Sequence, residues 1–122
     1  MSAHEHAALP DLRGLDSHRA RVEGTQYRAH DHERLSIGDR MYVLRREPRN
    51  KRDTSAIAVY ARGRGVGYVS PARAAVIAPL LDRIGGAAVV NGIGTDTESS
   101  RLWVELPAPD ALDDFVRDHE AA

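Results

Sequence analysis

The chain has 122 residues, 42% hydrophobic and 29% charged, which suits one soluble domain built around a single core. It has no cysteine, which excludes disulfides, thiolate zinc sites and thiol nucleophiles. The formal net charge of −1 conceals a division: His18 to Arg101 carries fifteen Lys and Arg against nine Asp and Glu, whereas the two ends together carry two against nine.

A basic middle between acidic ends points to a polyanion as partner more than the whole-chain charge does. Sixteen of the seventeen basic residues are Arg. Arg suits bidentate phosphate contact, and a GC-rich genome would supply the same bias. No apolar run approaches the roughly 18 residues of a membrane span, and the N-terminus lacks the basic flank and apolar stretch of a secretory signal. A cytoplasmic protein without a membrane partner is expected.

In chain order, residues 1–17 show no sustained periodicity, carry Pro10 and Gly14, and read as a flexible tail. Ala20 to Ala29 has strand character with a bend at Gly24. Arg40 to Arg46 is a short strand, and Ser55 to Ala61 a clearer one, with Ile57 and Val59 on one face. The glycine turn Arg62-Gly-Arg-Gly65 then leads into Val66-Gly-Tyr-Val69, which makes a β-hairpin. Ser70-Pro71 is a helix start, with Ser placed to cap the first amides. The helix runs through Ala72 to Ile84 and stops at Gly85-Gly86. Pro79 inside it is expected to kink or split it.

Ala87 to Ile93 returns to strand character, and Arg101 to Leu106 alternates with Leu102, Val104 and Leu106 on one face. Trp103, on the opposite face, is expected to pack under a C-terminal amphipathic helix formed by residues 108–122, where Leu112, Phe115 and Val116 recur at helical spacing. The fold class that follows is mainly β: a small, partly open, OB-like barrel of about six strands over residues 18–107, with one inserted helix and one C-terminal helix.

The stretch Arg46-Glu-Pro-Arg-Asn-Lys-Arg-Asp53, then Ala56-Ile-Ala-Val59 and Val66-Gly-Tyr-Val69, resembles the HIRAN domain. Val22-Glu-Gly24 upstream and Ala78-Pro-Leu-Leu-Asp82 downstream share the resemblance, which spans roughly residues 19 to 106. It implies an OB-like barrel that binds DNA, of the kind fused to fork-remodelling translocases, in which the domain grips the 3′ end of a single strand. Carried over by motif, Asp53 would accept the terminal hydroxyl, with Asn50 as its loop neighbour, and Tyr27 would stack on a base. Tyr68 stands where the fork-remodelling members have His.

Other positions depart from that pattern. Gln26 replaces an Arg, Arg28 a second Tyr, and Arg52 a Tyr, while Ser70-Pro71 stands where a Lys is found. Phosphate contact survives this exchange better than base stacking does. Arg28, Arg46 and Arg52 would then meet phosphate, and Tyr27 and Tyr68 would stack.

Simpler readings compete. Arg45 to Asp53 reads equally as a solvated turn in which Asn50 and Asp53 bond to local backbone. Aromatic content is only 5%, low for a surface that stacks several bases at about 1–3 kcal/mol each. His4, His6, His30 and His32, with Glu33, give no complete ligand set for zinc, and no cofactor is expected. Nucleophile and phosphate-loop signatures are absent, and Asp113-Asp114 reads as a solvated helix face, so an enzyme is not expected. The sequence points to a non-catalytic nucleic-acid-binding module for single-stranded DNA or 3′ ends, in repair or fork processing. The alternative is a protein-interaction adaptor that keeps the barrel but has lost DNA end recognition.

Overall fold

The structure is a computed structural model that describes residues 9–24, 41–61, 63–94 and 102–121. Alternation of apolar and polar side chains sets the inward face of its strands. In β1 (Ser17–Val22), Ala20 and Val22 point to the core, between the outward Arg19 and Arg21. β2 (Met41–Arg46) buries Tyr42 and Leu44, and β3 (Ile57–Ala61) buries Ile57 and Val59. β4 (Arg64–Tyr68) completes the expected hairpin with β3, with a register shift between Val59 and Tyr60. After α1 (Pro71–Asp82) come β5 (Ala87–Gly94), β6 (Leu102–Pro107) and α2 (Pro109–Ala121).

The strands form one sheet in the order β1-β6-β5-β2-β3-β4, and every neighbouring pair is antiparallel. β1 and β4 are the two ends of that order, yet they meet. Just past β1, the Glu23 amide donates to the Tyr68 carbonyl at 2.8 Å, and the Tyr68 amide donates back to the Glu23 carbonyl at 2.9 Å. The sheet thus curls into a small barrel fastened at this bridge, as the OB-like expectation required. Gly67 makes the closure sterically feasible. A Cβ there would overlap the Glu23 carbonyl oxygen and lie 2.7 Å from Val22 Cγ1. The glycine of Val66-Gly-Tyr68 is therefore the point where the first strand crosses the fourth.

One end of the barrel is covered by α1, which buries Ala74, Ile77, Ala78 and Leu81. Two sequence expectations about it change. The Ser70 side chain makes no capping bond; its carbonyl accepts the Ala74 amide at 2.9 Å, and Pro71 occupies the first turn. Nor does Pro79 split the helix, which runs unbroken for 12 residues. A mid-helix proline costs about 3 kcal/mol, but Pro79 lies on the exposed side. Burying Ile77 and Leu81 returns about 1.5–3 kcal/mol each. The expected glycine stop is present: Gly85 and Gly86 have φ of 99° and 80°, and the Gly86 amide bonds the Leu81 carbonyl at 2.9 Å.

The chain ends are more integrated than a tail reading allows. The Val89 amide donates to the Pro10 carbonyl and the Leu12 amide to the Val89 carbonyl, both at 2.8 Å, and Leu12 is buried in the core. Residues 9–16 are therefore docked along β5, which corrects the expected tail over these residues; residues 1–8 of it lie outside the described residues. Two backbone bonds to Val89 and the side chains of Leu12 and Leu15 anchor residues 9–16, which periodicity cannot register. At the other end, α2 inserts Leu112 and Val116 into the same core, with Phe115 packed against it. Arg83 reaches across from the end of α1 to Glu120, and Arg117 pairs with Asp113 within α2.

Trp103 also moves from its expected place. Leu102, Val104 and Leu106 take the inward face with Leu112, which leaves Trp103 on the opposite face of β6 beneath Arg19, whose guanidinium lies 4.6 Å from the ring centroid. Strand alternation denies it the α2 side. Among the described residues no helix is long and apolar enough to cross a membrane.

Candidate nucleic-acid interface

Where the barrel closes, it leaves a cleft of about 580 Å³. Its walls are the loop after β2, the Glu23-Gly24 turn after β1, the end of β4 and the first residue of α1. Asn50, Arg52, Asp53 and Tyr68 all line it, with Lys51, Glu23 and Gly24.

The loop is built from nested turns. Asn50 Oδ1 accepts the Arg52 amide at 2.9 Å and the Asp53 amide at 3.3 Å. Asp53 Oδ1 accepts the Ser55 amide at 2.8 Å, and the Asp53 carbonyl accepts the Ala56 amide at 3.0 Å. Both side chains do the local work that Asx turns require. The bond from Ser55 is the one hydrogen bond to the Asp53 carboxylate among the described residues, and it engages Oδ1, not Oδ2.

Glu47, which the sequence reading did not single out, joins the two walls. Its Oε1 accepts Asn50 Nδ2 at 3.1 Å and the Tyr68 hydroxyl at 3.0 Å. The Tyr68 ring is thereby held at a set angle to the loop. Glu47 stands inside the Arg46-Glu-Pro-Arg-Asn50 motif, but its partner on β4 is 21 residues away, so no local signal identifies it.

Arg46 is in a different position from its neighbours. Its guanidinium donates to Asp82 Oδ1 at 2.9 Å, to the Ala56 carbonyl at 2.8 Å and to the Thr54 carbonyl at 3.0 Å, and its side chain is only 8% exposed. The expected phosphate contact is revised accordingly: these bonds fasten the base of the loop to the end of α1, and Arg46 does not line the cleft. By contrast Arg49, Lys51 and Arg52 are exposed, and no ion pair links them to an acid among the described residues. Gln26, Tyr27 and Arg28 lie outside the described residues, two to four positions along the chain from Gly24, which lines the cleft. His4, His6, His30, His32 and Glu33 also lie outside them. Among the described residues no group of three or more His, Asp or Glu side chains is placed to hold a metal ion.

Comparison with known proteins decides the family. The model for the HIRAN domain matches residues 15–106. The chain belongs to the HIRAN family. Among solved structures it is similar to the HIRAN domain of human HLTF, with 23% identity, a TM-score of 0.55, and coverage of 84% of this chain and 88% of that one. No curated protein matches it. The structural likeness extends the assignment to the barrel: this HIRAN chain shares the overall path of the human domain while keeping less than a quarter of its residues.

Proposed function

We propose that this HIRAN chain is a non-catalytic DNA-binding module that holds single-stranded DNA, and in particular its 3′ end, in the cleft between the loop after β2 and the end of β4. Membership of the HIRAN family supports DNA binding in general. The observation that carries the finer reading is the convergence of Asn50, Arg52, Asp53 and Tyr68, with Lys51, on one cleft of about 580 Å³. Exposed Arg52 and Lys51 meet the phosphates, and counterion release makes their contribution salt-dependent. Tyr68, tethered through its hydroxyl to Glu47, offers a ring on which the last base stacks.

Asp53 uses Oδ1 to close its own turn, and Oδ2 is assigned to a terminal hydroxyl. A terminal phosphate would bring negative charge against the Asp53 carboxylate, so a free end is preferred over a phosphorylated one. Gln26, Tyr27 and Arg28, which follow Gly24 in the chain, are assigned as further DNA contacts from the family motif, and Arg46 serves as a positioning residue. Repair or fork processing is the setting in which free 3′ ends arise.

Fluorescence anisotropy on short single strands, with the 3′ end free or phosphorylated, tests this. Salt-sensitive binding that is at least about fivefold tighter for the free end supports the whole reading. Equal affinity for the two ends removes the role given to Asp53, and no salt-sensitive binding to either strand defeats the reading. Arg52→Glu is expected to weaken binding severalfold and to lower the salt slope by about one.

A further inference from the structure

A second concavity, of about 290 Å³, lies on the other side of the first turn of α1 from the DNA cleft. Its floor is Ile77 and Leu106, both core residues. Val76 and Pro109 form the walls, and His18 and Arg73 stand together at the rim. We propose that this groove docks a short acidic peptide segment of a partner protein, one bulky apolar side chain filling the groove and an adjacent carboxylate meeting Arg73 at the rim beside His18.

Size is the first argument. The volume of about 290 Å³ falls just below the roughly 300–1,000 Å³ range of small-molecule sites, which suits a single large side chain better than a cofactor. Val76 is the second. It is 54% exposed, the most exposed large apolar side chain among the described residues. On α1 it shares a face with Arg73 and Ile77, three and four residues apart from Arg73, so apolar surface and positive charge lie side by side on one helix.

Charge complementarity selects the partner. Among the described residues the contact made by the Arg73 guanidinium is with His18 Nε2, a ring nitrogen and not a carboxylate. Burial, reinforced by the Arg73 charge, holds His18 below the ordinary histidine range, toward its neutral form. A cation set against a histidine has its countercharge still to come, and an Asp or Glu beside the apolar anchor supplies it. DNA is the weaker fit, because one Arg beside an aliphatic wall offers little to a phosphate backbone, while the cleft across Pro71 has exposed Lys51 and Arg52. A lipid surface fits less still, since it needs several basic residues around the apolar patch.

The probe is a fluorescein-labelled peptide library with Asp or Glu at all positions except one, which holds Leu, Ile or Phe. It is titrated against the full chain by anisotropy, with amide chemical shifts mapping the contact. Matched peptides with Asn and Gln, or with Ala at the apolar position, are the controls. Binding by acidic members, at least about tenfold tighter than both controls and with shifts at Ala72 to Ile77, is the expected result. Val76→Asp and Arg73→Glu, both on the exposed side of α1, should each weaken it about tenfold or more while changing oligonucleotide affinity by no more than the few-fold that screened charge accounts for. The proposal is overturned if no acidic member binds, if the neutral peptides bind equally, or if either variant leaves peptide affinity intact. It is also overturned if Arg73→Glu impairs oligonucleotide binding alone. None of these outcomes depends on whether the cleft reads a 3′ end.

Discussion

At the scale of single residues, the barrel depends on contacts that side-chain chemistry alone would not rank highly. Gly67 is one. Adding a methyl group would drive it into the Glu23 carbonyl and the Val22 side chain, where the first and fourth strands touch. Gly67→Ala is therefore expected to destabilise the fold by about 1–3 kcal/mol, the usual cost of forced overpacking, read as a lower urea midpoint. It should also weaken DNA binding, because the same bridge positions Glu23 and Tyr68. His18 gives a second residue-level prediction. Burial first, and Arg73 second, lower its pKa below 6.5, so between the folded and unfolded values the unfolded chain binds more protons. Stability should rise with pH through the window just below 6.5 and level off above it. His18→Gln should flatten that part of a pH series of thermal melts.

Between elements, the loop after β2 is held by one buried guanidinium. Arg46 joins two loop carbonyls to Asp82 at the end of α1, although only about 8% of its side chain is exposed against 50% for Asp82. The exposed carboxylate makes the ion pair itself worth little. The bonds to the Ala56 and Thr54 carbonyls matter more, because a nearly buried guanidinium ties both to α1, although the Ala56 carbonyl also accepts the Glu47 amide and Thr54 is exposed. Arg46→Ala is expected to cost about 2–3 kcal/mol by denaturant titration and to loosen Asn50 and Asp53. Arg46→Lys should rescue little, since an ammonium cannot reproduce the fork. α2 is held differently, by packing. Leu112→Ala, which empties a fully buried site, should cost about 2–5 kcal/mol. Cutting away residues 110–122 would take Leu112 and Val116 out of the core, and cutting away 9–16 would take out Leu12, so charge effects are better tested by substitution.

Over the whole molecule, a basic middle and acidic ends share a small surface. Asp114 and Asp118 are exposed on α2, so their field reaches solvent. Changing both to Lys should raise oligonucleotide affinity about two- to fivefold at low salt, and the gain should vanish as the Debye length falls from about 10 Å at 0.1 M toward 3 Å at 1 M. Anisotropy titrations at several salt concentrations measure this. If the gain persists at high salt, the acidic helix acts by contact and not by field.

The elements and their polarity were legible in the chain. Strand alternation placed Ile57, Val59, Leu102 and Val104 inward, the paired glycines ended α1, and the Arg46 to Asp53 and Val66 to Val69 motifs carried the family. Half of the candidate site was also legible, because Asn50, Arg52, Asp53 and Tyr68 lie within or next to those motifs and do converge. The non-local links had to be seen in the folded molecule. The Arg46–Asp82 link spans 36 residues and the Tyr68–Glu47 bond spans 21, and the docking of residues 10–12 on β5 rests on backbone bonds to Val89 and the burial of Leu12. Local periodicity reports which face a side chain takes. The partner waiting on that face is set by how the sheet curls, and the sheet curls because Gly67 lets β1 cross β4.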